Sequence, residues 1–496
     1  MRVTIASRRS DLARIQAYQV GEALQSAHPQ IEINYSFHES LGDRNQHDPL
    51  WQMPEKGVFT QDFRAGLVKG EFDLVVHSWK DLAIEEDPET EIAATLPRAD
   101  ARDLLLVRDE RWPEVERTGV MSIFTSSPRR SYNLESFLRK ALPAKLRELN
   151  FVNVRGNVPT RVRKLLESET DGLIVAKAAI DRLLSAKQSE FAATQKELRG
   201  ALSQCRWMVL PLRENPPAPA QGALAIQIVR RRADLHELLT PLNCPDTFAA
   251  VTREREILRG YGGGCHQKIG ASVLRRSFGA VTFLRGLTDE GEVLDKCSLS
   301  SPKPRPLKVA RDKMWPLNSS DADWFAREAI PVKPAAEPVA LWIAKADALP
   351  VDWRPCPGQI VWASGLRTWQ RLAQRGVWVC GSAESLGEQE PQNIETLASR
   401  DLTWLKLTHA EGYNEGSLPA LATYRLVPGN GHMDLRGKTY FFWQSGSSFE
   451  YALSLNPWLK EMTHFCGPGN TQRILDRNGI QPYVYLDHAH WLKEMS

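Results

Sequence analysis

The stretch GYGGGCHQKIGAS at residues 260–272 sets Cys265 directly behind three glycines, with His266 and Lys268 close after it. Neighbouring cations favour the thiolate, the nucleophilic form of cysteine, and glycines let a bulky group approach the backbone. Such a thiol is either a reactive group presented to something large or a structural cysteine in a turn. A second set is cationic: Arg8 in ASRRS, Arg129 and Arg130 in TSSPRR, Arg155 in NVRGN, Arg161 in TRVRKL and Arg182 in AIDRLL. Guanidinium forks bind carboxylates and phosphates bidentately, so arginines gathered at one place imply a polyanionic ligand. Taken singly, each is ordinarily a solvated surface residue. The third set is DLVVHSWKDL, in which an apolar run delivers His77, Ser78, Lys80 and Asp81 to its polar end. Asp81 there would stabilise developing positive charge or shuttle a proton, unless Lys80 and Asp81 are simply an ion pair in a turn. His77 reads as a packed strand-end histidine rather than a base.

These residues need elements to hold them. Short apolar runs alternate with helical patterns through the first two hundred residues: VTIA, FDLVVHS, SIFTSS and GLIVAKAAI each precede a turn or helix. Strand followed by helix, repeated, predicts an α/β fold with crossover helices, whose ligands bind beyond the carboxyl ends of the strands. Most of the arginines fall there or at helix starts, where backbone N–H groups also favour anions. The Pro-rich RENPPAPAQGALAIQIVR reads as a crossing between lobes. Residues 303–338, also Pro-rich and weakly periodic, read as a linker. In the C-terminal part W-x-S-G followed by C-G occurs twice, at 362–365 and 443–446, as two similar α/β halves would produce.

Composition removes several classes of function. A chain of 496 residues is expected to form several domains, and a net charge of +3 supplies no global field for nucleic acid. The opening MRVTIASRRSDLARIQ has no continuous apolar run and no later stretch approaches membrane-helix length, so a soluble, cytoplasmic protein without a membrane partner is expected. Seven cysteines without a C-x-x-C pair fit reduced thiols, and no metal is expected. Walker, H-E-x-x-H and G-x-S-x-G motifs are absent.

SRRSDLA, GD at 42–43, KGVF at 56–59, DLVVHSWKDL, TSSPRR, RGNVPTR, PAPAQGALAI and GGGCHQKIG together resemble, in family order, the hydroxymethylbilane synthase or porphobilinogen deaminase family over residues 1 to about 300. The resemblance implies a monomer that joins four porphobilinogen units head to tail, releasing ammonia, on a dipyrromethane cofactor. It implies that Cys265 carries this cofactor by a thioether and that Asp81 is the catalytic aspartate. It implies that Arg8, Ser10, Lys80, Arg129, Arg130, Arg155, Gly156, Arg161 and Arg182 bind cofactor and substrate carboxylates, that Thr125, Ser126 and Ser127 donate hydrogen bonds, and that Gln221 and Gly222 join these binding residues from a cleft-crossing segment. The implied fold is three α/β domains, two of them like the lobes of periplasmic binding proteins: 1–98 with 205–224, then 99–204, then 225–302 carrying Cys265. Departures from the family pattern are Phe124, Pro128, Ala83, Gln52 and His266-Gln267-Lys268. A non-enzymatic carboxylate-binding protein is the alternative reading of the same arginines.

Residues 339–496 resemble uroporphyrinogen-III synthase through WLKLTHAEG, ATYRLVP, YFFWQSGSSFEYAL and HFCGPGNTQRILDRNGI. That implies a two-lobed domain closing the linear tetrapyrrole with inversion of its last ring, with Tyr424, Ser445, Ser447 and Thr471 at its site. The alternative is a non-catalytic scaffold.

Overall fold

The computed structural model describes residues 1–39, 61–85, 87–263, 267–301, 303, 309–318, 321, 324–334, 339–412, 418–429 and 434–495. Cys265 and His266, Gln52 and the GD and KGVF motifs lie outside the described residues. The chain forms two compact units, one of Met1–Arg139, Lys145–Arg275 and Thr282–Lys296, the other of Lys140–Ala144, Arg276–Val281 and Cys297–Ser496. No described helix is long and apolar enough to cross a membrane.

The first unit starts with β1 (Arg2–Arg8), α1 (Asp11–Ala27), β2 (Glu32–His38), α2 (Gln61–Lys69), β3 (Leu74–Ser78) and β4 (Thr90–Ala94). Next come β5 (Asp103–Arg108), α3 (Trp112–Thr118), β6 (Val120–Phe124), α4 (Pro128–Ala141), β7 (Glu148–Val152), α5 (Val158–Glu167), β8 (Gly172–Ala176), α6 (Lys177–Leu184), α7 (Ala192–Leu202) and β9 (Cys205–Val209). β10 (Leu224–Val229), α8 (Ala233–Leu239), α9 (Pro245–Arg259), β11 (Gly270–Arg276), β12 (Gly279–Leu287) and β13 (Val293–Ser300) follow. The first sheet has the order β2-β1-β3-β10-β4, with β1 parallel to β2 and β3 and β10 antiparallel to its neighbours. Its residues alternate between two buried faces: Val3, Ile5, Leu74 and Val76 pack with Ala17 and Val20 of α1, while Ala6 and Val75 pack with Phe63 and Leu67 of α2. Cover on both faces explains why these strands read as nearly unbroken apolar runs.

The second sheet, β7-β6-β8-β5-β9, is parallel across β7, β6 and β8, while β5 is antiparallel to β8 and β9. Two expected domain limits shift accordingly. Residues 205–209 do not return to the first sheet, because CRWMV pairs with β5 and closes the edge of the second; the return is β10, at 224–229. A three-stranded β11-β12-β13 sheet follows.

The second unit holds two further sheets, assembled from β14 (Met314–Trp315), β15 (Phe325–Ala329), β16 (Ala340–Ile343), β17 (Val361–Ala363), α10 (Leu366–Gln374), β18 (Gly381–Ser382), α11 (Glu395–Ala398), β19 (Trp404–His409), β20 (Ala420–Pro428), β21 (Tyr440–Trp443), α12 (Gly446–Leu455), β22 (Thr463–Cys466), α13 (Asn470–Arg477), β23 (Tyr483–Val484) and α14 (His488–Met495). Their orders are β15-β20-β19-β16-β17-β18 and β14-β21-β22-β23. The expected linker is not one: β14 and β15 lie within it, each at a sheet edge, and neither strand contains a proline. Trp315 and Trp324 beside them are buried, with ring centroids 5.0 Å apart, against Phe441, Trp443 and Phe449. Both W-x-S-G copies fall on a turn from a parallel strand into a helix, β17 to α10 and β21 to α12.

Candidate active site

Three turns converge on a cavity of about 460 Å³ in the first unit. β1 and β3 run parallel, so Arg8 and Ser10 at and beyond the end of the first and Ser78, Lys80 and Asp81 at and beyond the end of the second enter from one edge of the sheet. The second sheet contributes Arg130 from α4 and the turn from β7 into α5, which carries Arg155, Gly156 and Arg161. That turn is locally encoded. Asn157 caps α5, its side-chain oxygen accepting the Thr160 N–H at 2.9 Å, and Pro159 pre-sets the first turn. Gly156 has φ +116°, and a Cβ there would stand 2.7 Å from Thr160 Cγ2.

Six residues lining the cavity are cationic, Arg8, Lys80, Arg130, Arg155, Arg161 and Lys164, against two carboxylates, Asp11 and Asp81. Burial, helped by the guanidinium groups of Arg130 and Arg155, pushes Arg161 down to about 10, with Asp81 opposing. Burial also lowers Lys80; Asp81 and Asp103 oppose this, and Arg130 and Arg129 add to it. Cations crowded in this way are relieved by an incoming anion, so the arrangement suits a ligand with several carboxylates. Asp81 is exposed and holds no ion pair among the described residues.

Seven residues expected to bind ligand are absent from the cavity lining: Thr125, Ser126, Ser127, Arg129, Arg182, Gln221 and Gly222. The TSS hydroxyls bind backbone groups. Thr125 Oγ1 accepts the Ser127 N–H at 3.3 Å, Ser126 Oγ donates to the Val154 carbonyl, and Ser127 Oγ accepts the Arg130 N–H at 3.4 Å at the start of α4. Pro128 begins that helix, a position where proline lacks nothing the helix needs. Arg129 donates to Asn215 Oδ1 at 2.8 Å, the Pro216 carbonyl at 2.7 Å and Asp103 Oδ2 at 2.9 Å, which commits its fork to the interior. Arg182 is buried and donates to the Gly222 carbonyl at 2.8 Å; burial lowers it to about 10, with Asp181 opposing. Gly222 has φ +87°, and a Cβ there would lie 2.6 Å from the Ala99 carbonyl oxygen. Arg130 lines the cavity, but its Nε and Nη2 also bind Asp103, at 3.0 and 2.7 Å.

Asp103 is the residue sequence reasoning missed. It is fully buried at the head of β5, and its carboxyl is held far below the usual range because Arg130 and Arg129 outweigh the penalty of burial. A lone acidic residue opening the apolar run DLLLV was the available signal, since a buried carboxylate requires cationic partners. His77 is the packed residue expected: its Nε2 lies 2.9 Å from Gln227 Oε1, and burial lowers it to about 4.

The described flanks of Cys265 are tied to the segment bearing Asp81. Arg255 at the end of α9 donates to the carbonyls of Leu82, at 3.2 Å, and Ala83, and Arg259 donates to that of Ile84 at 3.1 Å. A Cβ on Gly263 would lie 3.2 Å from Ile84 Cδ1. Beyond Cys265, Gln267 Nε2 donates to the Tyr261 carbonyl at 2.5 Å.

In the second unit, Tyr424 on β20 stacks on His409 with ring centroids 5.8 Å apart, and His409 Nε2 lies 2.9 Å from Ser447 Oγ. His409 ends β19, so the rule that singled out Asp81 as a polar strand end would have found it. Ser445 instead caps α12, accepting the Ser448 N–H at 3.2 Å. Thr471 lies in the first turn of α13.

Residues 3–237 match the family model described as "Porphobilinogen deaminase, dipyromethane cofactor binding domain". The chain is 30% identical over 300 residues to a porphobilinogen deaminase of Clostridium novyi, covering 60% of this chain and 92% of that protein. It is 33% identical over 308 residues to that of Desulfitobacterium hafniense, covering 62% and 91%, and 38% identical over 274 residues to that of Acidothermus cellulolyticus, covering 54% and 73%. With its strand-end carboxylate set among arginines, the chain belongs to the porphobilinogen deaminase family.

Proposed function

We propose that this protein is a hydroxymethylbilane synthase that condenses four porphobilinogen units on a dipyrromethane carried by Cys265. The observation that supports this most is the cavity in which Arg8, Arg155, Arg161 and Lys80 surround the single strand-end carboxylate of Asp81. Each pyrrole of the cofactor and of the substrate bears two carboxylates, which suits a cavity whose lining cations outnumber its carboxylates. Dipyrromethane, when bound, supplies the free pyrrole carbon onto which the first substrate unit is joined. Arg8, Arg155 and Arg161, with the amino end of α5, hold the acetate and propionate groups. Asp81 accepts the pyrrole N–H and stabilises the positive charge that develops on the substrate as its carbon–nitrogen bond breaks and ammonia departs with the electron pair. The same carboxylate is placed to take the proton released when the pyrrole ring regains aromaticity. Parent protein should release one ammonia per porphobilinogen consumed, and Asp81→Ala should fold normally yet lose most turnover. Normal consumption by that variant would overturn the role of Asp81, and reversible carboxylate binding without ammonia release would favour a binding protein instead.

For the C-terminal part the reading is a uroporphyrinogen-III synthase, favoured by the meeting of Tyr424 and Ser447 at His409. Two linked sites would raise capture of a product that cyclises spontaneously to the wrong isomer. The full chain should yield the type III isomer and Tyr424→Phe with Ser447→Ala more type I; type I product from the parent would make the region a scaffold.

A further inference from the structure

Gln221 is 1% exposed and absent from the cavity lining, and its amide is committed to other partners. Nε2 donates to Asp103 Oδ1 at 2.8 Å and to the Ala101 carbonyl at 2.8 Å, while Oε1 accepts from Lys80 Nζ at 3.2 Å. The orientation of the amide is fixed by chemistry. Turned over, it would point its carbonyl at a carboxylate and a carbonyl and its N–H groups at an ammonium. Asp103 in turn cannot move toward Lys80, because Arg129, Arg130 and Asn215 hold it with four further N–H bonds of 2.7–3.0 Å. The backbone of the same crossing segment grips the same turn: the Trp79 N–H donates to the Ala223 carbonyl at 3.1 Å.

We propose that Gln221 is a positioning residue for the deaminase site: anchored on the buried carboxylate of Asp103 in the second sheet, it fixes the Lys80 ammonium beside Asp81 at the edge of the first. This rests on the reading of Asp81 and Lys80 as site residues. Gln221 thereby replaces its expected place among the ligand-binding groups with an indirect one. The charged groups acting on Lys80 are Asp81 and Asp103, which favour its ammonium form, and Arg130 and Arg129, which oppose it. Gln221 Oε1 adds the neutral acceptor that holds the ammonium in place.

The test is Gln221→Met in the full-length holoenzyme, a side chain of similar length with neither donor nor acceptor. Lys80 is acylated at a series of pH values, and the modified peptide is quantified by mass spectrometry. Loss of a charge-assisted hydrogen bond should move the midpoint of labelling down by about one pH unit, that is, about tenfold faster labelling below the midpoint, and should lower kcat/KM for porphobilinogen about tenfold in protein that is still fully folded at the assay temperature, the melting temperature falling only because the buried Ala101 carbonyl and Asp103 each lose one donor. Asp103→Asn should move the midpoint in the same direction, and the double variant should move it by less than the sum of the two single shifts, because part of the Asp103 effect passes through Gln221 and part is its own charge acting on Lys80. Should Asp103→Asn fail to fold, Gln221→Met decides alone. An unchanged or raised midpoint in Gln221→Met overturns the proposal while leaving the deaminase reading intact. A parent enzyme that releases no ammonia overturns that reading, while the labelling still reports on the link between Gln221 and Lys80.

Discussion

Replacing Glu254 with glutamine should destabilise the first unit far more than a single neutralised charge on a helix usually does. Glu254 lies on α9 with no exposed surface, and its two oxygens accept four donors: Arg98 Nη1 at 2.6 Å, Arg98 Nη2 at 2.9 Å, and the backbone N–H groups of Ala220 and Val273, each at 2.8 Å. It therefore joins three distant segments, the last of which, β11, follows directly on the stretch containing Cys265. Glutamine keeps one acceptor oxygen, but its amide N–H must face two of those four donors and leaves Arg98 half compensated. Breaking a buried ion pair costs about 3–5 kcal/mol. For a unit of this size that is a fall in melting temperature on the order of 10 °C. Calorimetry of the full chain measures it. The control is Glu256→Gln on the same helix, whose pair with Arg253 is solvent-exposed and should be worth less than about 1 kcal/mol. Equal melting temperatures for Glu254→Gln and Glu256→Gln would refute the reasoning.

Other perturbations follow from the same geometry. His77 is buried neutral and lowered to about 4, so the unfolded chain takes up its proton first; stability is present above about pH 6.5 and is lost as pH falls toward 4, by about 3 kcal/mol. Denaturant titrations of His77→Leu should show a flatter acid limb, and an unaltered slope would remove His77 from it. Gly156→Ala forces both a strained φ and a clash with Thr160, costing about 1–3 kcal/mol and displacing Arg155 and Arg161, so KM for porphobilinogen should rise; parental KM and stability would show that the turn tolerates a side chain. Arg161→Met should raise KM more than Arg129→Met does, since only Arg161 lines the cavity, whereas Arg129→Met should lower the melting temperature more because it breaks a buried pair with Asp103; the reverse order in KM would contradict the assignment of Arg129 to the interior.

Much of this site was legible in the sequence because it sits at strand ends. Arg8 at the end of β1 and Lys80 and Asp81 after β3 were each marked by an apolar run that stops at a polar residue, and all three line the cavity; Arg155, which lines it too, was marked by its residue type and its place among the other arginines. What was not legible is the allocation of donors. Arg129 and Arg130 are adjacent and identical in type, yet Asp103, 26 and 27 residues upstream, takes the first wholly into the interior and leaves the second at the cavity wall. A buried aspartate at the head of a strand looks like any surface residue until its partners are known. Thr125, Ser126 and Ser127 lie outside the cavity lining for a different reason: their hydroxyls bind backbone groups, those of Thr125 and Ser127 within their own turn and that of Ser126 at Val154, a competition that residue type does not reveal. The prolines of 303–338 suggested a linker, whereas the tryptophans among them, Trp315 and Trp324, carried the opposite and decisive signal of burial.

The central claim is that Cys265 is an attachment point serving a site built around Asp81. Intact-mass spectrometry of the full-length protein tests it most directly. The account predicts a covalent adduct of dipyrrole size on the parent, lost in Cys265→Ala and lengthened by further pyrrole units when porphobilinogen is supplied to the parent. A parent protein without such an adduct, or an adduct that survives Cys265→Ala, would contradict it.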